Sequence, residues 1–203
     1  MLNELSPVPP ACFFNVSTKV RKKVGRLTYL PDMSGFLNEQ SFGRVAIIWS
    51  PGGLTLHVQV KKPLEESLYP RYRDSDSFEV FIDTRNLKNA QSVHRFCHHF
   101  VFLPEEVDGV QAQEVTRFRS DETHELAASE LFAVQVNMGK RDYEMEINIP
   151  KEALHGYDPS EFKRLGFSYR LNRLNGDPQH FNLSSRFFSL EKHPGLWATL
   201  ILT

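Results

Sequence analysis

The sequence predicts an all-β domain, a two-sheet antiparallel β-sandwich of jelly-roll-like form with one or two short helical turns. Strict alternation of apolar and polar residues recurs along the chain, and Gly, Pro, Asn and Asp separate the alternating runs. Sixteen phenylalanines against two tryptophans fit a well-filled core. A chain of 203 residues can fold without disulfides, and two cysteines, Cys12 and Cys97, are too few for a disulfide framework.

The alternating runs predict eight or nine strands. In the run 54–60, for example, leucines and valines occupy every second position, and Thr55, His57 and Gln59 occupy the others. The same period of two places Phe78, Val80 and Ile82 on one face. The strands are expected at 13–16, 44–49, 54–60, 77–83, 94–102, 132–138, 143–149, 167–171 and 196–203.

Turn residues and a short apolar pattern locate the connections. Pro51-Gly52-Gly53 predicts a hairpin, and residues 139–142 predict a second one. Residues 121–131 fit either a short helix or a solvated loop, and residues 150–156 fit one helical turn. We expect residues 25–203 to form a single sandwich domain and residues 1–24 to form an N-terminal segment packing on it. The basic run 19–26 is expected to be a solvated edge strand or loop.

Charge and hydropathy argue against several functions. The net charge of −1 makes nucleic acid or an anionic membrane an improbable partner. Apolar runs are all shorter than a membrane-spanning helix requires. Glu4 and three prolines stand where a signal peptide needs a basic start and an apolar run. We therefore expect a cytoplasmic protein, or a secreted one if a leader precedes this sequence.

The polar positions of the predicted strands form the main functional signal. If several of these strands are neighbours, one sheet carries a face rich in acids, arginines, amides and histidines. Such a face is either the solvated side of an antiparallel sheet or a platform for a hydroxyl-rich ligand. Its members are His57, Gln59, Glu79, Asp83, Arg95, His99, Glu144, Glu146, Asn148, Arg170 and Asn172.

The loop 63–76 precedes one of these strands and carries Tyr69 and Tyr72 together with two arginines. Exposed Tyr and Arg above a sheet suit a binding site. Packing of both tyrosines against the sandwich is the alternative. A concave pocket bordered by Tyr69 or Tyr72 would favour ligand binding.

Candidate metal and catalytic groups are incomplete in the sequence. His94 and His98 share a strand face while His99 points away, and two histidines fall short of a zinc site. Glu79 and Asp83 stand about 13 Å apart on a strand, which is too far for a glycosidase pair. The sequence therefore predicts no catalytic residue, no metal site and no cofactor. Calcium held by loop carboxylates such as Asp74, Asp76 and Asp108 stays open, with no ligand set identified.

The order of the segments resembles the family-nine carbohydrate-binding modules, within the wider set of ligand-binding β-sandwiches that includes the DOMON domains. The resemblance spans about residues 25–203. Its most specific parts are the run D-S-F-E-V-F-I-D (76–83), the I-P pair at 149–150 and the N-R pair at 172–173.

This resemblance implies a jelly-roll-like sandwich that binds sugars or other small ligands without catalysis, often attached to secreted enzymes and often with structural calcium. It implies that the 76–83 strand and the strand ending at 173 border the ligand face. The matching positions here are Asp76, Glu79, Asp83, Arg170, Asn172 and Arg173.

The leading hypothesis is therefore a non-catalytic module that binds a carbohydrate or related polyol through a polar sheet face. A protein-interaction or structural sandwich that has lost sugar binding is the first alternative, and a metal-dependent hydrolase using His94, His98 and His99 is the second. The predicted ligand-binding residues are Tyr69, Tyr72, Asp76, Glu79, Asp83, Arg95, His99, Arg170, Asn172 and Arg173.

Overall fold

A computed structural model describes residues 16–22, 27–119 and 121–203. Within these residues, eleven strands form two sheets packed face to face, and the remaining regular structure is short helical turns. The predicted all-β, two-sheet sandwich is confirmed. Most of the predicted strand 13–16, Cys12 and the boundary at residues 24 and 25 lie outside the described residues.

The larger sheet has seven strands and the smaller has four. In the larger sheet the order is β1 (Ser17–Val20), β11 (Ala198–Leu202), β9 (Arg164–Arg173), β4 (Ser77–Asp83), β5 (Cys97–Val107) and β6 (Val110–Glu114), with β10 (Gly176–His180) also paired to β9. The smaller sheet has the order β2 (Gly43–Ser50), β3 (Gly53–Val60), β8 (Tyr143–Pro150) and β7 (Ala133–Met138). Only the pairing of β1 with β11 is parallel among the described strands.

Helical structure is limited to single turns. The α-helix α1 spans Ser34–Leu37, and the 3-10 turns span Tyr72–Asp74, Ser129–Leu131, Lys151–Ala153, Leu190–Lys192 and Pro194–Leu196. Of the two alternatives for 121–131, the loop forms and only its last residues turn, because contacts to Glu114 fix this segment instead of helical hydrogen bonds. No helix within the described residues has the length and apolar character needed to cross a lipid bilayer.

The core lies between the two sheets and follows the predicted alternation. Leu56 of β3 faces inward beside Ile147 of β8, its direct cross-strand partner, and both are fully buried. Phe78 and Phe102 pair across β4 and β5 on the facing sheet with no exposed surface. Burial of side chains of this size supplies the main driving force for folding, about 1.5–3 kcal/mol each.

The predicted polar positions divide between the outer faces of the two sheets. His57, Gln59, Glu144, Glu146 and Asn148 lie on the small sheet, since β3 pairs with β8. Glu79, Asp83, His99, Arg170 and Asn172 belong to the strands β4, β5 and β9 of the large sheet. Alternation in a sequence gives the face of a strand but not the sheet to which the strand belongs.

The outer face of the large sheet is covered by loops and carries a second apolar cluster. Its members are Phe81, Val93, Cys97, Leu183, Leu190 and Trp197, and all are buried. These loops leave one part of the face open, and that opening is the site described next.

Candidate ligand-binding site

A cavity of about 730 Å³ opens on the outer face of the large sheet. Residues 69–74, just before β4, form one wall, and residues 115–119, just after β6, form another. Glu191 and Lys192 of the C-terminal loop close a third side. The cavity has the size range of small-molecule sites in proteins.

Aromatic rings form the floor and one side of the cavity. The His99 ring stacks on Phe81 with 4.4 Å between centroids, and Phe81 lies 5.8 Å from the ring of Trp197. Tyr72 meets His99 edge-on at 6.4 Å. Trp197 is 2% exposed and its indole N–H donates to the Leu190 carbonyl at 2.9 Å, so this ring is fixed in the floor. A ring fixed in the floor cannot close over a ligand as a clamp.

Glu79 organises the polar groups beneath this floor. His99 Nε2 lies 2.8 Å from one carboxylate oxygen, and Arg170 Nε and Asn172 Nδ2 donate to the other at 2.7 and 2.8 Å. Arg73 Nε approaches the first oxygen at 3.5 Å. Because Glu79 has no exposed surface, it acts on a ligand only through the side chains that it holds, chiefly those of His99 and Arg73.

The charge of Glu79 is stabilised despite its burial. Burial alone would raise the pKa of the Glu79 carboxyl, but the hydrogen bond from His99 and the charge of Arg170 outweigh it and hold the pKa well below its ordinary value. Burial and the nearby Glu79 charge raise the pKa of the half-buried Tyr72 hydroxyl. Tyr72 is thus a neutral aromatic group at the cavity wall.

The side chain of Asp76 fastens the loop that carries both tyrosines. Its Oδ2 accepts the backbone N–H groups of Glu65 and Glu66 at 2.7 and 3.3 Å, and its Oδ1 lies 3.2 Å from Arg173 Nε. Ser77 Oγ donates to the Tyr72 carbonyl at 2.5 Å. The D-S-D-S run at 74–77 therefore fastens its own loop at the start of β4.

The ten predicted ligand-binding residues fall into three groups. Tyr69, Tyr72 and His99 line the cavity. Glu79, Arg170 and Asn172 lie beneath it as one hydrogen-bonded cluster. The structure places Asp76, Asp83, Arg95 and Arg173 away from the lining.

These four residues make other contacts. Asp83 accepts the backbone N–H groups of Arg85 and Leu87 at 2.8 and 2.6 Å and so closes the turn after β4. Arg95 precedes β5 and its guanidinium lies over the Phe96 ring. Asp76 and Arg173 hold the 63–76 loop, as described above.

The lining also contains charged residues that the strand pattern did not select. Five cationic side chains, Arg71, Arg73, Arg117, Arg119 and Lys192, accompany two carboxylates, Asp74 and Glu191. Arg73 lies 3.5 Å from Glu191, whereas the other four cations have no carboxylate within 4.0 Å among the described residues. The spacing of Arg117 and Arg119 in R-F-R is the sequence signal that could have found them, because alternate residues share a side of an extended chain.

Cys97 contributes to the floor as a buried thiol. Burial and the nearby Asp83 charge raise its pKa, so the reactive thiolate is disfavoured. Its Sγ lies 3.3 Å from Nε2 of His94. The arrangement lacks the activated nucleophile that a cysteine enzyme needs.

Fold and cavity together define a β-sandwich with a concave, aromatic and cationic site on one outer face. No protein-family model and no curated protein sequence matches the chain. Among solved structures, a family-nine carbohydrate-binding module of Caldicellulosiruptor kristjanssonii in complex with glucose is similar, with a TM-score of 0.64 and 14% identity over 92% of this chain and 95% of that one. For the same module in complex with cellotriose, the TM-score is 0.62 and the identity is 14% over 92% of this chain and 94% of that one.

A proposed carbohydrate-binding protein of Bacteroides uniformis is also similar, with a TM-score of 0.59 and 12% identity over 93% of this chain and 99% of that chain. The chain therefore has the fold of the family-nine carbohydrate-binding modules, as the sequence resemblance predicted. The wider link to DOMON domains stays a prediction.

Proposed function

We propose that this protein is a saccharide-binding module and that the cavity on the outer face of the large sheet is its site. The observation that carries the proposal is the combination of Tyr72 and His99 rings with guanidinium and hydroxyl groups around a cavity of about 730 Å³. Structures of similar fold that were solved with glucose and cellotriose support it.

The lining offers both kinds of contact that a sugar needs. The half-buried ring of Tyr72 suits the C–H side of a pyranose ring, which is apolar. His99 is 6% exposed and stacked on Phe81, so it supports Tyr72 from the floor. Arg73 is half-exposed and held by Glu79 and Glu191, so its N–H donors are oriented before a ligand arrives. Preorganised donors reduce the ordering cost of binding and so raise affinity.

Charge favours an acidic saccharide over a neutral one. Arg117 and Arg119 are exposed on one wall and Arg71 and Lys192 face other parts of the same cavity, without neighbouring carboxylates among the described residues. A carboxylate, sulfate or phosphate on the sugar would pair with guanidinium groups in bidentate geometry. We therefore expect uronic acid or sulfated oligosaccharides to bind more tightly than glucose oligomers.

We propose further that the site is non-catalytic. Glu79 is buried and ion-paired, so it is poorly placed to give or take a proton at a ligand. The buried thiol of Cys97 supports the same view. Hydrolysis of a neutral or an acidic reporter glycoside by the purified protein over hours would contradict this proposal.

A saccharide array followed by calorimetry tests the proposed function. Wild-type protein should bind an acidic oligosaccharide, and Tyr72→Ala should weaken binding at least 10-fold because it removes a stacking surface. Tyr29→Ala is the matched control, since Tyr29 lies beside Arg44 at the small sheet, and its affinity should be unchanged. Absence of binding to neutral and acidic saccharides alike would overturn the proposal and favour a protein partner.

A further inference from the structure

A second group of polar side chains lies at β5, β6 and the loop that follows, next to the cavity, whose lining includes His98. His98 Nδ1 and His124 Nε2 lie 3.0 and 2.9 Å from the same oxygen of Glu114, Oε1. The three side chains are at most 2% exposed. We propose that His98, Glu114 and His124 form a binding site for a divalent metal ion of the zinc type.

The hydrogen-bond inventory of His124 motivates the proposal. Its Nδ1 lies 2.7 Å from the Arg95 carbonyl and its Nε2 lies 2.9 Å from the Glu114 carboxylate, so both ring nitrogens face oxygens that only accept. A neutral imidazole has one N–H and can satisfy only one of them. A metal ion bound by Nε2 and Glu114 would leave the N–H on Nδ1, where the carbonyl accepts it.

His98 has the same arrangement with the roles of its two ring nitrogens exchanged. Its Nδ1 faces Glu114, and its Nε2 faces the His155 carbonyl at 3.5 Å. Metal-binding histidines commonly donate their second N–H to a carbonyl or carboxylate, which fixes the tautomer and the ring orientation. The potential ligand atoms of the three residues all lie within 4.8 Å of one another.

The surroundings of Glu114 also suit a metal ligand. Its second oxygen accepts the Ala127 N–H at 2.7 Å, and the Thr116 hydroxyl donates to Oε1 at 2.7 Å. These two contacts fix the orientation of the carboxylate, so that Oε1 points to both imidazole nitrogens.

The donor set indicates the class of ion. Two imidazole nitrogens and one carboxylate suit Zn²⁺, Co²⁺ and other divalent transition metals, whereas Ca²⁺ and Mg²⁺ prefer all-oxygen sites. Folding brings this set together from β5, from β6 and from the loop that follows β6. This is why spacing around His98 alone predicted no metal site.

A rival cluster of Asp83, His94 and Cys97 is a weaker candidate. The neutral ring of His94 needs no metal, because its Nδ1 accepts the Phe96 N–H at 3.3 Å while its Nε2 faces Cys97 Sγ at 3.3 Å and Asp83 at 3.7 Å. Burial raises the pKa of the Cys97 thiol, which disfavours the thiolate that would bind the ion. This cluster therefore serves as the control in the test.

The proposed ion would tie residues 121–128 and the start of the 115–119 wall to β5. Thr116 bridges the two regions: its hydroxyl accepts the backbone N–H of His99 at 2.8 Å and donates to Glu114. Arg117 and Arg119 follow directly on the cavity wall. Metal binding is expected to order this wall and to raise the melting temperature, since an ion that binds only the folded state stabilises it.

Cobalt and zinc titrations of the full chain, stripped of metal with chelator, test the proposal. We expect one Co²⁺ per chain, with d–d absorption bands displaced by one equivalent of Zn²⁺, and a rise in melting temperature of several degrees with Zn²⁺. His124→Gln and Glu114→Gln should each weaken metal affinity at least 10-fold. Cys97→Ser, in the rival cluster, should leave stoichiometry and spectrum unchanged.

Circular dichroism and the metal-free melting temperature separate loss of the site from loss of the fold. His124 belongs to a loop, and its replacement should preserve the spectrum of the sandwich. Binding that survives in both His124→Gln and Glu114→Gln, binding that is lost only in Cys97→Ser, or no stoichiometric binding at all would overturn the proposal. If no stoichiometric metal binding is observed, His98, Glu114 and His124 form a hydrogen-bonded cluster of imidazolium and carboxylate groups.

Discussion

Glu79 shows at the residue scale how a buried charge can serve an open site. It does not itself line the cavity, yet His99, Arg170 and Asn172 converge on its carboxylate. Removing one partner of a buried ion pair strands the other charge in a poorly solvated place. Glu79 is therefore expected to matter for stability and for binding at once.

Glu79→Gln should lower the free energy of unfolding by about 3 kcal/mol at pH 7. Because the folded-state pKa is lowered below the ordinary 4.5, the wild-type contribution is present above pH 4.5 and is lost as the pH falls through the folded-state pKa. The deficit of the variant should thus shrink in urea unfolding at pH 4 and below. Glu146→Gln, at a half-exposed position on the small sheet, is the control. An equal deficit at every pH would contradict the assigned charge.

Sequence reasoning could predict part of this residue network. The period of two places Glu79, Arg170 and Asn172 on the non-core side of their strands, and the structure agrees. It could not predict that β4 lies between β5 and β9, because strand order depends on contacts distant in sequence. It missed Glu114 and His124 because β6 is not among the predicted strands and the 121–131 loop has no local pattern that fixes its contacts.

At the element scale, the turn of the β2–β3 hairpin requires glycine at position 53. Gly53 has φ of +135°, and an added Cβ would lie 2.2 Å from the Ile149 carbonyl oxygen. Gly53→Ala should lower the free energy of unfolding by about 2 kcal/mol or more. Gly35→Ala is the matched control, because nothing lies within 4 Å of its added Cβ, and it should be neutral or slightly stabilising in thermal melts. Equal melting temperatures for the two variants would contradict this account.

The 63–76 loop is the element that couples fold to site. Asp76→Ala should release the backbone N–H groups of Glu65 and Glu66, speed their hydrogen exchange and weaken saccharide binding, because Tyr72 loses its fixed position. Asp177→Ala, an exposed position on β10, should change neither exchange nor affinity. Protected Glu65 and Glu66 amides in Asp76→Ala would show that other contacts hold the loop.

Strand elements were more predictable than loops. The run 54–60 alternates so regularly that its inward face follows from the sequence, and β3 confirms it. The run 121–131 has helix-forming residues but no single apolar face, and Leu126 and Leu131 are 43% and 41% exposed. Tertiary contacts to Glu114 decided its conformation, and no local pattern contains them.

At the scale of the whole molecule, a near-neutral chain has an uneven distribution of charge. The net charge is −1, while the cavity lining carries five cations and two carboxylates. Composition argues against a nucleic-acid partner, which stays a prediction, and it could not reveal this local excess of cations. The excess exists because the 69–74, 115–119 and 191–192 segments meet only in the folded protein.

The most direct test of the central claim is the position of a bound saccharide. In an amide NMR titration with the tightest ligand from the array, the account predicts shifts concentrated at residues 69–74, 97–99, 115–119 and 191–192, around the large-sheet cavity. Shifts concentrated instead at 57–59 and 144–146, in the hollow of about 290 Å³ on the small sheet, would contradict it.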